Sequence, residues 1–139
     1  MFYKKLSNKE YVIRIRRGNK IIKELKSFCL KEKVTGGFFY GLGAVDQAEL
    51  AHYDVSTKKY SSKKFSLPLE MTNITGSVGV GDKELIVHAH ATFADKKMRA
   101  VAGHLIEARV SGTAEIFFTK TARLTKIYDQ KTGLKLFSL

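Results

Sequence analysis

Three of the four histidines in this chain fall within one short stretch of sequence. His88 and His90 lie in the run E-L-I-V-H-A-H-A-T-F, which spans residues 84–93 and alternates between polar and apolar positions. Such alternation predicts a β-strand, in which side chains two residues apart point to the same side. The two imidazoles therefore share one face of the strand. Neutral imidazole nitrogens are ligands for zinc and for other borderline divalent metals.

A third histidine is expected to join them through a hairpin. A turn at residues 95–97 would fold a second strand, residues 99–110, back against the first. With the turn centred on its middle lysine, His104 lies directly opposite His88 and diagonal to His90. The three side chains then form a candidate metal site with a fourth position open, as in catalytic zinc sites. A slip of one residue would send His104 to the other face.

The surroundings of the histidines bear on what such a site could do. The same register places Ile86 opposite Ile106, which makes the face half apolar, like the floor of a pocket or a subunit contact. The alternative is that the histidines are polar strand residues with hydrogen-bond partners, or part of a solvated face. An open metal position could hold water and lower its pKa, which would permit hydrolytic or lyase chemistry.

That chemistry would need a general base. Glu70 and Glu107 are the nearest candidates in the sequence, but the expected register turns Glu107 away from the histidines. Glu70 is therefore the candidate general base or supporting residue, with a surface or interface salt bridge as its alternative role. No substrate can be identified from the sequence, and we assign no enzymatic activity from it.

The elements that must position these residues can also be predicted. Apolar residues at helical spacing predict one amphipathic helix, with Asn19 as its N-cap and Gly36-Gly37 as its stop. Its apolar stripe is formed by Ile21, Ile22, Leu25, Phe28 and Cys29. Further strands are expected at residues 11–16, 38–45 continuing through 49–54, 60–69, 72–80 and 113–119, with Gly112 separating the last strand from the His104 strand and a turn at 131–133. This order predicts an α+β fold with a predominantly antiparallel sheet. One helix cannot cover both faces of that sheet, so a partner subunit is expected on the second face.

Composition narrows the class of protein. With 139 residues, 44% of them hydrophobic, we expect one domain spanning 1–139. We expect no membrane span, because no stretch approaches the roughly 20 apolar residues required. The N-terminus lacks the apolar run of a signal peptide, and the lone Cys29 is interpreted as a buried thiol. A cytoplasmic location is therefore expected.

The net charge suggests a second kind of partner. There are 25 Lys and Arg residues against 13 Asp and Glu, a formal charge of +12. Such an excess attracts DNA and other polyanions. The basic residues are spread as pairs and singles, which is also typical of a solvated surface. Besides a metal-binding domain, a nucleic-acid-associated protein and a module that binds another protein remain open.

The motifs together resemble a known family. The run His88-Ala89-His90, then Gly103-His104-Leu105 and Thr113-Ala114-Glu115, is similar to the PPC domain, which is conserved in plants and prokaryotes. Upstream segments in the matching order are Gly41-Leu42-Gly43-Ala44, Glu49-Leu50-Ala51 and Thr75-Gly76-Ser77. The resemblance covers about residues 11–127. The usual Gly-Gly before the third histidine is Ala102-Gly103 here.

The resemblance implies a compact α+β domain that assembles as a homotrimer, with His88, His90 and His104 at the positions proposed to bind metal. Plant relatives join this domain to AT-hook segments, which bind DNA through an Arg-Gly-Arg-Pro type core. Residues 16–19, Arg-Arg-Gly-Asn, lack the proline, so that mode of DNA binding does not carry over. Single-domain prokaryotic members are candidate DNA-binding proteins by association with the plant proteins.

Overall fold

A computed structural model describes residues 1–82 and 84–139. Within these residues the chain forms one α-helix and nine β-strands. In chain order they are β1 (Phe2–Lys5), β2 (Glu10–Arg16), α1 (Ile21–Lys31), β3 (Gly37–Asp54), β4 (Lys59–Phe65), β5 (Leu69–Val80), β6 (Leu85–Ala94), β7 (Ala100–Lys120), β8 (Lys126–Asp129) and β9 (Leu134–Phe137). The predicted α+β class with a predominantly antiparallel sheet is confirmed.

Seven strands form one antiparallel sheet in the order β1-β2-β7-β6-β5-β3-β4, and β7 also pairs with β3. Strands β3, β5, β6 and β7 therefore close into a circuit of pairings. Strand β7 runs unbroken for 21 residues, so the predicted break at Gly112 is wrong. Its pairing with β3 is nevertheless irregular there, because three residues of β7, Gly112 among them, lie opposite the single residue Ala44, and a second register shift follows between Val45 and Gln47. A Cβ on Gly43 would lie 2.3 Å from the Thr113 carbonyl oxygen, so the close strand approach there requires glycine.

The core lies between the inner faces of these strands and helix α1. All five residues of the predicted apolar stripe are buried. Phe28 packs edge-to-face with three rings, whose centroids lie 5.1 Å (Tyr3), 5.2 Å (Tyr11) and 5.1 Å (Phe118) away. Such pairs stabilise a core beyond the apolar area that they bury. Helix α1 thereby fastens the β2–β7 side of the sheet.

The N-terminus of α1 is capped from a distant strand. The expectation that Asn19 caps the helix is wrong, since the Asn19 amide donates to the Glu24 carboxylate at 2.8 Å instead. The Glu107 carboxylate on β7 accepts from the backbone N–H groups of Ile22 at 2.9 Å and Lys23 at 3.3 Å. A carboxylate at this end also offsets the helix dipole.

The hairpin β8–β9 forms a separate two-stranded sheet, with Gly133 of the predicted turn at φ +75°. At its open end the Val80 N–H donates to the Leu124 carbonyl oxygen at 2.8 Å, and two further contacts hold it near its turn. The Tyr53 hydroxyl donates to the Thr132 carbonyl at 2.9 Å, and Lys135 pairs with Glu84. No helix in the described part of the chain is long and apolar enough to cross a membrane.

Candidate metal centre

Strand β6 presents two histidines on its outer face. Ala89, Ala91 and Phe93 are at most 3% exposed and point into the core. Because side chains alternate along a strand, His88 and His90 point outward, as predicted. Both are exposed in the isolated chain.

The β6–β7 hairpin brings His104 to the same face, but in a different register from the one expected. His104 lies directly opposite His90, not His88. The turn comprises residues 96–98, because the Asp95 carboxylate accepts from the backbone N–H groups of Lys97 at 2.8 Å and Arg99 at 3.1 Å. Compared with the register expected from the sequence, the centre of the hairpin lies one residue later, and the partner of His104 changes by two residues. A shift of two keeps every side chain on its face, so the three histidines still meet.

The predicted Ile86–Ile106 pair does not form. Pairing between β6 and β7 ends at His90 and His104, and beyond that point β7 follows β3. Ile86 pairs with Gly79 on β5 instead. Ile106 is 40% exposed. Ile86 still lines the site, and the rest of its apolar surface comes mainly from other elements.

The three imidazoles form one compact cluster. Ring centroids are 5.3 Å apart for His88–His90, 5.1 Å for His88–His104 and 5.5 Å for His90–His104. One nitrogen from each ring can be chosen so that all three lie within 4.8 Å of one another. Nitrogens bound to one tetrahedral zinc lie about 3.3 Å apart, so side-chain rotations that close at most about 1.5 Å would suffice. The donor set therefore fits a divalent metal that prefers nitrogen.

The electrostatics favour the neutral form of these rings. Although part of the His88 side chain is open to solvent, desolvation by the surrounding protein lowers its pKa to about 4, with further lowering by the positive charges of His104, Lys126 and His90. Burial and then the charge of His90 lower the pKa of His104. Two of the three imidazoles are thus neutral at neutral pH, which is the form that binds metals.

The cluster lines a cavity of about 900 Å³. One wall is the β8–β9 hairpin, with apolar side chains that include Leu134, Leu136 and Phe137. Tyr60 on β4 places its ring centroid 5.5 Å from that of His104. A cavity of this size is typical of a small-molecule site.

Lys126 is a component that the sequence did not single out. It lines the cavity yet is only 5% exposed, and burial lowers its pKa. No local pattern distinguishes it from the many other lysines, because its position depends on how the hairpin docks.

The two candidate bases lie elsewhere. Glu70 pairs with Ala94 on β6, four residues from His90, which is roughly 13 Å along a strand. It lines a different pocket, with Leu42. Glu107 faces away as expected and is used as the helix cap. The structure brings neither carboxylate to the histidines, whereas the fourth histidine, His52, lines the same cavity.

Comparison with known families identifies the fold. Residues 4–122 match the family described as the Plants and Prokaryotes Conserved (PCC) domain. The chain belongs to the PCC-domain family. This confirms the resemblance drawn from the histidine and glycine motifs. The β8–β9 hairpin follows the matched segment, so one wall of the cavity is formed by residues outside the PCC match.

Solved structures of the same fold support the assignment. A candidate DNA-binding protein from Bacteroides thetaiotaomicron has a TM-score of 0.94 at 28% identity, covering 99% of this PCC chain and 96% of that one. A plant- and prokaryote-conserved protein from Pyrococcus horikoshii has a TM-score of 0.86 at 26% identity, covering 95% and 92%. A metal-containing protein from Archaeoglobus fulgidus shares the fold, with a TM-score of 0.88 at 23% identity and 100% and 99% coverage. A search of curated proteins found no match.

Proposed function

We propose that this PCC domain binds a divalent metal ion, best matched by zinc, through His88, His90 and His104. The observation that carries the proposal is the convergence of three imidazoles, from two strands, within 4.8 Å at the floor of one cavity. A structural relative from Archaeoglobus fulgidus is described as metal-containing.

The residues around the cluster would hold and orient it. The Tyr60 ring packs at a tilt of 43° against His104, which restricts rotation of that imidazole. The β8–β9 hairpin shields one side from water. A bound metal with an open position would act as a Lewis acid toward an oxygen-bearing ligand. We assign no reaction, and Glu70 is not part of the proposed site.

Zinc titration of the purified, metal-stripped protein against a chromogenic chelator tests the proposal. We expect about one zinc per chain for the wild type. The His88→Ala/His104→Ala double variant should lose this binding. His52→Ala is the matched control, since it removes a histidine from the wall of the same cavity without touching the cluster. Equal zinc binding by the double variant and the wild type would refute the proposal.

We also propose that the chain assembles as a homotrimer through the outer face of its sheet. Phe38, Tyr40, Leu42 and Phe117 are between 45% and 57% exposed there. The Tyr40 and Phe117 rings stack with centroids 5.5 Å apart, giving a contiguous apolar patch that a monomer would leave in water. The resemblance to PPC domains supplies the number of subunits.

This patch lies next to the histidines. Ser77 pairs with Phe38 on one side and with His88 on the other. Thr75 links Tyr40 to His90 in the same way. A subunit seated on the patch would therefore border the proposed metal site.

Native mass spectrometry tests the assembly. We expect a trimer for the wild type and a shift toward monomer for Tyr40→Glu, because a carboxylate would be buried in the apolar contact. Tyr128→Glu is the control, since Tyr128 is similarly exposed at 61% but lies on the hairpin. A wild-type monomer at micromolar concentration would contradict the proposal.

The alternative function is binding of DNA or another polyanion. Two observations favour it: the net charge of +12 and the 28% identical relative described as a candidate DNA-binding protein. The basic residues that contribute to this charge include Lys23, Lys26 and Lys31, which lie exposed on helix α1. Such binding would be independent of sequence and steeply weakened by salt. A gel-shift assay that shows no complex even at low salt would exclude it.

A further inference from the structure

Lys126 places a buried positive charge in the wall of the histidine cavity. The side chain is 5% exposed, and its Nζ lies 4.3 Å from the centre of the Phe137 ring. Its stem runs over Gly79, where an added Cβ would lie 3.3 Å from the Lys126 Cγ. The absence of a side chain at Gly79 therefore leaves the space that this lysine occupies.

Within the part of the chain that the structure describes, the charge of Lys126 has no anionic partner. Five ion pairs form among residues 1–82 and 84–139, and Lys126 takes part in none of them. The contact with Phe137 is a cation–π interaction, which attracts the ammonium but does not neutralise it. Lys135, the other lysine in the cavity wall, pairs with Glu84. A buried charge without a counter-ion is costly, and a ligand could supply that counter-ion.

The other polar side chains that line the cavity also carry no negative charge. No Asp or Glu is found among the described residues that line it. Its polar groups are histidines, lysines, tyrosines and a serine, and Lys126 is close enough for its charge to act on His88. A divalent metal held by three neutral imidazoles would add two further positive charges. The site as a whole therefore calls for a negatively charged ligand.

The cavity also has an apolar side. Ile86 and Val87 from β6 and Leu134, Leu136 and Phe137 from β9 all contribute to its lining. This surface suits the hydrocarbon body of a ligand rather than a fully hydrated ion such as phosphate. The volume of about 900 Å³ accommodates a small organic molecule.

We propose that the cavity binds a small organic carboxylate, with its charged head between Lys126 and the histidine cluster and its apolar body against the β8–β9 hairpin. This inference rests on the proposed function for the position of the head beside a metal. The contribution of Lys126 can be measured with or without that metal, so the two ideas can fail separately.

Calorimetric titration in a buffer free of carboxylates and phosphate tests the inference. The probes are acetate, butyrate and hexanoate, together with hexanamide as the uncharged analogue and inorganic phosphate as the purely hydrophilic anion. Each is titrated into zinc-loaded and metal-stripped protein. Lys126→Met removes the charge at similar length, and Lys135→Met is the matched control in the same wall. A thermal melt of each variant verifies folding.

We expect hexanoate to bind the zinc-loaded wild type, with affinity rising about threefold to fourfold for each methylene that is buried. Lys126→Met should weaken hexanoate at least tenfold, while leaving zinc affinity in anion-free buffer equal to or higher than that of the wild type. Lys135→Met should change hexanoate affinity less than threefold. Hexanamide should bind at least tenfold more weakly than hexanoate, an arm that needs no variant.

Other results would overturn the inference. Hexanoate affinity that is unchanged in Lys126→Met, or equal affinity for hexanoate and hexanamide, removes the role of the charge. If phosphate binds as tightly as hexanoate, the apolar body of the ligand has no role in binding. If the wild type binds no zinc, the proposed function fails. The metal-stripped titration then decides the role of Lys126 alone: a tenfold loss in Lys126→Met supports it, and no loss refutes it.

Discussion

Zinc should raise the thermal stability of this PCC domain by an amount that can be worked out in advance. An ion that binds only the folded state stabilises it by RT ln(1 + [Zn]/Kd), about 2.7 kcal/mol at a free concentration of one hundred times Kd. The chain has 139 residues, and the entropy of unfolding is about 2.1 cal/mol/K per residue, or roughly 0.29 kcal/mol/K in total. The quotient is a rise in Tm of about 9 °C. Assembly into a trimer with one site per chain leaves this ratio unchanged.

The assay is differential scanning calorimetry of metal-stripped protein with and without zinc, at a concentration set from the measured Kd. The His88→Ala/His104→Ala variant should show a rise below about 2 °C, because three-coordinate binding is lost. His52→Ala should retain the full rise. Since unfolded histidines also bind some zinc, the observed value can fall below the calculated one. A rise in the double variant as large as in the wild type would show that zinc binds elsewhere and would refute the reasoning.

Three further predictions concern the elements around the site. In metal-free protein, NMR titration should show His88 protonating near pH 4. Because the pKa of His88 in the folded state lies below the unfolded value of about 6.5, the contribution of neutral His88 to the stability of the fold should be lost as pH falls from about 6.5 toward 4. Titration of His88 near pH 6.5 would contradict this prediction. Glu107→Ala should lower the free energy of unfolding in urea by about 0.5–2 kcal/mol through loss of the helix cap, whereas an unchanged midpoint would show that α1 needs no cap. Gly79→Ala should destabilise the protein by about 1–3 kcal/mol and speed amide exchange in β8 and β9, because its Cβ would lie 2.9 Å from the Leu124 carbonyl oxygen and displace the hairpin. Gly112→Ala is the control and should do neither, since the nearest atom to its Cβ is 3.6 Å away. Equal effects of the two substitutions would argue against displacement of the hairpin.

The histidine cluster could be predicted because it depends on a period of two. The hairpin register expected from the sequence was wrong by two residues, yet His104 still reached the correct face. An even error preserves the side of the sheet, and only an odd one would have separated the histidines. The error itself arose from Asp95, whose carboxylate accepts from two backbone N–H groups within the turn and so holds the turn one residue further along the chain than expected. The apolar stripe of helix α1 could be predicted for a similar reason, because the helical spacing of its apolar residues is set by neighbouring positions in the sequence.

Features that depend on distant contacts were not predictable in this way. The cap of α1 comes from Glu107, which lies 85 residues beyond Ile22 in the chain, so the sequence near the helix pointed to Asn19 instead. Lys126 lies on a short strand, and nothing in the sequence around it distinguishes it from the many lysines at the surface. Its burial depends on the docking of the β8–β9 hairpin against Gly79, which no local pattern encodes.

The histidine cluster, which local periodicity predicts, and Lys126, which depends on the docking of the hairpin, together determine the charge of the cavity. The histidines bring no negative charge, and the docked hairpin adds an unneutralised ammonium, so a bound metal ion and Lys126 would repel each other across the same space. An anionic ligand would relieve that repulsion and would thereby raise the affinity for the metal, just as the metal would raise the affinity for the anion. Removing the charge of Lys126 should consequently act in opposite directions, favouring zinc when no anion is present and weakening the anion in every case. A purely structural lysine would instead shift both affinities together through a disturbed fold. The sign of the two effects, more than their size, therefore distinguishes a ligand site from a buried structural charge.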